Sequence, residues 1–177
     1  SALRPSSELL APGQFAMAAP GSAPMSFGEP APLADPGPLN DLPGSTAVLS
    51  TPPLLQNVDV IGAPTARLRL KSPTATAARP ESMLVAFVKL YDVAPDGTVA
   101  ASTRLVAPIR VADLSKPVLV QLPAMVHRFP VGHRMQLVVS LTDFSYKGSS
   151  QAQIALLTTS AAAPTSLTLP GRIDLNA

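Results

Sequence analysis

Residues 83–92, with the sequence MLVAFVKLYD, carry apolar side chains on both faces of an extended chain. Successive side chains of a strand point to opposite faces, so a segment that is apolar at nearly every position is typical of a strand buried on both sides. The turn sequence Pro95-Asp96-Gly97 follows and supplies a fixed φ and then a residue that tolerates positive φ. We therefore predict the central strand of a β-sandwich, followed by a tight hairpin turn with Gly97 at positive φ.

Shorter runs of strand length surround this segment. Residues 65–72, TARLRLKS, alternate apolar and basic side chains, which is the pattern of a half-buried strand. Further strands are predicted at residues 58–61, 102–106, 108–112, 118–122, 135–141, 153–159 and 166–169. Turn signals separate these runs and no long amphipathic helix pattern is present. The predicted fold class is therefore all-β, a sandwich or jelly roll.

The N-terminal part of the chain has a different composition. Residues 1–46 are rich in proline and contain neither Val nor Ile. Proline lacks the backbone donor that helix interiors and central strands need. We expect residues 1–46 to form an extended proline-rich arm or linker lying across a surface, and residues 47–177 to form the sandwich domain. Because the sequence begins without Met and runs directly into this region, we also expect it to be a piece of a longer protein.

Composition excludes several classes of function. The chain has 177 residues, the size of one domain, and only 14% of them are charged, with a formal net charge of +2. No run of Lys and Arg provides the basic surface of a nucleic-acid binder. No apolar stretch approaches the roughly 20 residues of a membrane-spanning helix. The absence of cysteine excludes disulfides and thiolate metal sites, and it fits a bacterial protein that is either cytoplasmic or secreted.

Glycine spacing argues against the familiar catalytic loops. No two of the ten glycines are closer than seven positions apart. A nucleophile elbow needs glycines four apart, a dinucleotide-binding turn two apart and a phosphate-binding loop five apart. We expect neither a catalytic residue nor a cofactor in this chain.

The two histidines, His127 and His133, lie six residues apart. A zinc site needs three or four ligands, and the nearest preceding carboxylate in the sequence is Asp113, so structural histidines are favoured over a metal site. His133 is in phase with the apolar positions of the predicted strand 135–141. We predict that its imidazole points inward and forms hydrogen bonds with a neighbouring loop, while Arg134 faces outward towards an Asp or a partner domain.

Three other residue groups allow a functional interpretation beside a structural one. Asp92 and Asp96 resemble a calcium loop only superficially, because ligand spacing and a closing Glu are missing, so a turn is favoured. The basic stripe that includes Arg67 and Arg69 is a solvated strand face or, less favoured, a docking surface for an acidic partner. Sugar binding would need exposed aromatic rings. Tyr91 is expected in the core, which leaves Tyr146 with Phe144 nearby as the only platform.

Four segments, in order along the chain, resemble a known family. They are LSTPPL at 49–54, VDVIGAP at 58–64, KLYDVAPDG at 89–97 and FPVGHRMQLVVS at 129–140. Together they resemble the C-terminal domain of X-prolyl dipeptidyl-peptidases and cocaine-esterase-like serine hydrolases. The resemblance implies a jelly roll of the galactose-binding type, following an α/β-hydrolase domain that carries the Ser-Asp-His triad. His133 matches the structural Gly-His-Arg motif of that family, not its catalytic histidine.

This resemblance leaves two classes of function open. In the first, the chain is a non-catalytic accessory domain that packs on the catalytic domain of a serine peptidase or esterase and shapes substrate access or assembly. In the second, it is an autonomous carbohydrate- or ligand-binding module, or an accessory domain fused to a transporter ATPase. A homo-oligomer is compatible with either. The motif residues are Asp92, Pro95, Asp96, Gly97, Gly132, His133 and Arg134, and the candidate interface residues are Phe144, Tyr146, Arg67 and Arg69.

Overall fold

The computed structural model describes residues 6–9, 13–21, 44–76, 78–99, 105–143 and 146–173. These residues form strands joined by turns, with one short 3-10 turn at Pro80–Ser82 and no α-helix among them. The strands are β1 (Ser6–Leu9), β2 (Gly13–Ala19), β3 (Thr46–Ser50), β4 (Val58–Gly62), β5 (Thr65–Leu68), β6 (Leu70–Lys71), β7 (Leu84–Val93), β8 (Val106–Val111), β9 (Val118–Gln121), β10 (Met125–Phe129), β11 (Arg134–Ser140), β12 (Gln153–Thr159), β13 (Ser166–Leu169) and β14 (Gly171–Ile173). The predicted all-β class is confirmed.

The first sheet is antiparallel and has the strand order β3-β11-β7-β8. Strand β7 is central, and all ten of its residues are buried, as predicted from its sequence. Residues such as Leu84 and Leu90 point into the main core, and residues such as Phe87 and Tyr91 are buried on the opposite face. A strand with apolar side chains at both phases is stable only when both faces are covered, which explains its central position.

The second sheet is a composite of three short antiparallel sheets, with the strand orders β1-β13-β5-β9, β10-β4-β14 and β2-β12-β6, which follow one another along three interrupted strands. Strands β4, β5 and β6 follow one another with short breaks, and they pair in turn with β14, β13 and β12. Strands β9 and β10 form the third interrupted strand and pair with β5 and β4. Pro64, Pro123 and Pro170 occupy three of the breaks, where a residue without a backbone N–H interrupts the ladder of hydrogen bonds. Proline thus determines where these strands are interrupted.

The two sheets enclose one hydrophobic core. Alternation along 65–72 places Ala66, Leu68 and Leu70 in it, each fully buried, while the basic residues between them lie on the outer face. The half-buried strand predicted there is confirmed, although it divides into β5 and β6 at Arg69. Facing this layer are apolar side chains of β3, β7 and β11, including Leu49 and Leu137. The architecture is a jelly-roll β-sandwich.

Part of the predicted proline-rich arm lies in this sandwich. Strand β1 pairs with β13 and strand β2 pairs with β12, each at the edge of its sheet. Met17 of β2 is buried in the core. Strand β3 begins at Thr46, next to the expected boundary. Neither strand contains proline, which lacks the backbone donor that strand pairing uses. The division between residues 46 and 47 stays a prediction.

The remaining strand predictions agree with the structure in most places. The strands predicted at 153–159 and 166–169 have the predicted bounds, and those at 58–61, 118–122 and 135–141 agree within a residue or so at each end. The strand predicted at 108–112 belongs to the longer β8, and most of the one predicted at 102–106 lies outside the described residues. Strand β10 was not predicted. Among the described residues, no helix has the length and apolar character needed to span a membrane.

Candidate functional site: the Asp92 cluster and the ribbon beside it

A buried carboxylate holds both histidines of the chain. The Asp92 side chain is 1% exposed, and its two oxygens accept one hydrogen bond from each imidazole. Nε2 of His127 lies 2.8 Å from Oδ2, and Nδ1 of His133 lies 2.7 Å from Oδ1. The imidazoles themselves are 28% and 18% exposed. A carboxylate only accepts, so each imidazole donates through the named nitrogen.

Three separate elements deliver these side chains. Asp92 lies near the end of β7 and points to the core side, in phase with Leu90. His127 lies in β10 on the other sheet, in phase with buried Phe129, whose ring it meets edge to face at a centroid distance of 4.6 Å. His133 occupies the last position before β11. The cluster therefore ties the two sheets together at one end of the sandwich.

Backbone hydrogen bonds to Leu54 also hold the turn that contains His133. The Gly132 N–H donates to the Leu54 carbonyl, and the His133 carbonyl accepts from the Leu54 N–H, each at 2.8 Å. Gly132 has φ of 83°, and a Cβ added there would lie 3.7 Å from Pro95. The two turns singled out in the sequence are thus neighbours at the same end of the sandwich.

The turn after β7 has the predicted conformation. The Gly97 N–H donates to the Ala94 carbonyl at 2.9 Å, and Gly97 has φ of 87°, which confirms the predicted positive φ. A type I turn followed by a left-handed residue is a common three-residue hairpin. A hydrogen bond from the Thr98 backbone N–H, together with one from the Thr98 side chain, lowers the pKa of Asp96. The Asp96 carboxylate thus caps the turn that it belongs to.

The other residues singled out from the sequence lie apart from this cluster. Arg134 is exposed, as expected, but it donates to the Thr51 carbonyl at 3.1 Å and not to an Asp. Arg67 and Arg69 lie on the outer face of the second sheet. Tyr146 is 38% exposed, and its ring stacks on buried Phe87 at 6.0 Å, so one ring face is already covered. Phe144 lies outside the described residues.

The Asp92 cluster is suited to holding structure together. Asp92, His127 and His133 meet through hydrogen bonds, and within the described ranges no group of three or more His, Cys, Asp or Glu side chains has the arrangement of a metal site. The nitrogens of His127 and His133 that face inward are both bound to Asp92. The predicted inward direction and hydrogen bonding of His133 are confirmed, but the predicted partner is wrong: the imidazole bonds Asp92 of strand β7 and not a neighbouring loop.

The strand pair β4–β10, which we call the ribbon, carries exposed apolar side chains beside this cluster. Val126 is 84% exposed and lies opposite Ile61, which is also exposed. One step further, Arg128 donates to the two carboxylate oxygens of Asp59 at 2.6 and 2.8 Å. Exposed Leu55 and Val131 extend the apolar surface at the end of the sandwich. The ribbon thus presents exposed apolar side chains next to one bidentate ion pair, and Leu55 and Val131 lie in the segments that adjoin its two strands.

Two features of this region escaped the sequence interpretation. Asp92 precedes His127 by 35 residues, whereas the sequence argument considered the nearest carboxylate along the chain, Asp113. The buried ion pair of Lys89 with Asp143, at 2.8 Å, also went unnoticed. Its signal was a single charged residue inside the apolar segment 83–92, because a buried charge needs a partner of opposite sign.

Sequence comparison bears directly on this fold and site. Residues 6–160 match the family described as the X-Pro dipeptidyl-peptidase C-terminal non-catalytic domain. The chain belongs to this family. The match confirms the resemblance inferred from four short segments, and the description of the family fits a non-catalytic accessory domain. It begins at residue 6, so it includes β1, β2 and most of the proline-rich region.

Solved structures share the fold at low sequence identity. An α-amino acid ester hydrolase superimposes with a TM-score of 0.65 at 18% identity, covering 90% of this chain and 33% of its own. An aminopeptidase from a marine sediment archaeon, Thaumarchaeota archaeon, superimposes with a TM-score of 0.64 at 17% identity, and the match covers 93% of this chain and 33% of the aminopeptidase. A CocE/NonD family hydrolase from Staphylococcus aureus superimposes with a TM-score of 0.54 at 9% identity, and the match covers 72% of this chain and 30% of the hydrolase. This domain thus spans about a third of the length of these proteins. No curated protein sequence matches the chain significantly.

Proposed function

We propose that this domain packs, through the ribbon β4–β10, against an α/β-hydrolase catalytic domain of the same parent polypeptide and thereby shapes access to the active site. The observation that carries the proposal is the exposed apolar surface on the ribbon. Protein interfaces combine exposed apolar anchors with Arg and few other charges. The ribbon has this composition, with Val126 and Ile61 beside the guanidinium of Arg128.

The Asp92 cluster supports this role because it makes the ribbon rigid. His127 belongs to β10 itself, and its bond to Asp92 anchors that strand to the opposite sheet. His133 fixes the adjoining turn, next to exposed Val131. An interface that is already ordered loses less conformational entropy when its partner binds.

A charge placed on the ribbon tests the proposed packing. In the full-length parent, Val126→Asp should separate the domains, because a buried unpaired carboxylate at an interface is strongly unfavourable. We expect faster limited proteolysis between the domains and a lower kcat/KM, while the isolated 177-residue chain keeps its melting temperature within about 1 °C.

Val48→Asp is the matched control. Val48 is an exposed valine in another edge strand, β3, and is not part of the ribbon. It should leave the parent's proteolysis pattern and kcat/KM unchanged. Equal behaviour of the Val126 and Val48 variants in the parent would refute docking through the ribbon.

A second test concerns the absence of catalysis in this chain. The glycine spacing leaves no place for a nucleophile elbow. We expect the isolated chain to hydrolyse neither X-Pro peptides nor simple esters, and to remain unmodified by a serine-directed fluorophosphonate as judged by mass spectrometry. Stoichiometric labelling of one serine would contradict the accessory role.

A further inference from the structure

A charged cleft lies beside the first residues of β7, where Arg110 of β8 pairs with Val85, whereas Asp92 lies near the other end of that strand. It has a volume of about 400 Å³ and is lined by Pro80, Glu81, Arg110 and the loop 147–150. This volume falls within the roughly 300–1,000 Å³ typical of small-molecule sites. The lining comes from three elements: the 3-10 turn, the edge strand β8 and the loop 147–150 of sequence KGSS.

The charges of this cleft face a common space without neutralising one another. Arg110 and Lys147 are cationic and Glu81 is anionic, yet neither cation forms an ion pair with Glu81. Exposed charges form an ion pair elsewhere in the described part of the chain, as between Lys116 and Asp113 at 3.6 Å. Opposite charges that line one cleft but stay more than 4.0 Å apart leave room for a group between them.

Polar donors complete the cationic side. Arg110 donates one hydrogen bond to the Pro80 carbonyl, which fixes its position, and a guanidinium retains further N–H donors. Ser149 accepts from the Gln151 N–H through its Oγ, so its own O–H can still donate. A carboxylate entering beside Lys147 would therefore meet a guanidinium, an ammonium and a hydroxyl. The Glu81 carboxylate, in turn, can accept hydrogen bonds from an ammonium group.

We propose that this cleft binds a small zwitterion of the amino-acid or free-peptide class. The ligand carboxylate binds at Arg110 and Lys147, and the ligand ammonium binds at Glu81. All three side chains are exposed, so each ion pair contributes little and binding is in the millimolar range. The proposal goes beyond the accessory function and shares no residue with the ribbon, so each stands or falls independently.

The test is a titration of the ¹⁵N-labelled 177-residue chain with glycylglycine, followed by amide chemical shifts. We expect saturable shifts at Arg110 and at the loop amides of Lys147 to Ser149. N-acetylglycylglycine, which lacks the ammonium, and glycylglycine amide, which lacks the carboxylate, should each bind about two- to fivefold more weakly. Equal affinity for all three ligands, or no saturation by 50 mM glycylglycine, would overturn the proposal.

Two charge variants separate the contribution of Lys147 to glycylglycine binding from that of Glu81. Lys147→Gln should weaken glycylglycine binding about two- to fivefold and leave the preference for a free ammonium intact, whereas Glu81→Gln should abolish that preference. Lys116→Gln, an exposed lysine outside the cleft, is the matched control and should bind normally. If Glu81→Gln binds like the wild type and chloride or phosphate competes with glycylglycine, the cleft is only a general anion site and the zwitterion proposal fails. Should a variant fold poorly, the ligand series on the wild-type chain decides the question alone.

Discussion

Replacing His133 by alanine should destabilise this domain through the carboxylate that it leaves behind. Asp92 is almost completely buried, and Oδ1 would lose its imidazole donor at 2.7 Å while Oδ2 keeps His127. A hydrogen bond to a charged group contributes about 1.5–3 kcal/mol. Because the imidazole is 18% exposed, water can enter the space, so we expect a loss near the middle of this range, about 2 kcal/mol. For a domain of this size the melting temperature should fall by about 4–8 °C.

The assay is guanidinium-induced unfolding of the wild-type and variant chains, with thermal unfolding beside it. Arg134→Ala is the control: its side chain is exposed and bonds only a carbonyl, so it should cost about 0.5 kcal/mol or less. Combining His133→Ala with His127→Ala should cost more than the sum of the single changes, since the buried carboxylate then has neither donor. If His133→Ala destabilises no more than Arg134→Ala, the reasoning that Asp92 depends on this imidazole is wrong.

Two further predictions concern the turn after β7. Gly97→Ala should lower the free energy of unfolding by about 1–2 kcal/mol, because φ of 87° is unfavourable for a residue with a Cβ. Gly148 has φ outside that region, so the control Gly148→Ala should change the free energy of unfolding by less than about 0.5 kcal/mol. Equal losses for the two variants in thermal unfolding would argue against strain at Gly97. Thr98→Val removes one hydrogen bond that lowers the pKa of Asp96, so a carbon-detected NMR titration should show that pKa rising while the Asp113 pKa, lowered by its own bonds with Ser115, stays constant. A carboxyl whose pKa is lower in the folded than in the unfolded chain stabilises the fold above the unfolded pKa. The contribution of Asp96 to stability should therefore be lost as the pH falls through its pKa in the folded chain. An Asp96 titration that Thr98→Val leaves unchanged would contradict the assigned cause.

Much of the fold follows from local pattern. The segment 83–92 predicted a strand buried on both faces because its apolar residues occupy both phases, and the structure places it centrally. Strand β10 could not be found in this way, because outward-facing Val126 is apolar and inward-facing His127 is polar, so apolar and polar residues do not alternate along it. Its identity as a strand depends on pairing with β4, a contact between residues more than 60 positions apart.

The sequence by itself determined the all-β class, the turn with Gly97 at positive φ, the inward direction of His133 and the family to which the domain belongs. The fold class and the direction of His133 depend on the alternation of side chains along a strand. The turn depends on the φ range that glycine allows, and the family on short motifs in a fixed order. Only the tertiary structure decided that His127 and His133 share Asp92, because the three residues come from two sheets and from positions up to 41 apart. The tertiary structure also decided which apolar residues stay exposed on the ribbon. The alternation of side chains along a strand separates its two faces, but it does not say which face another sheet covers.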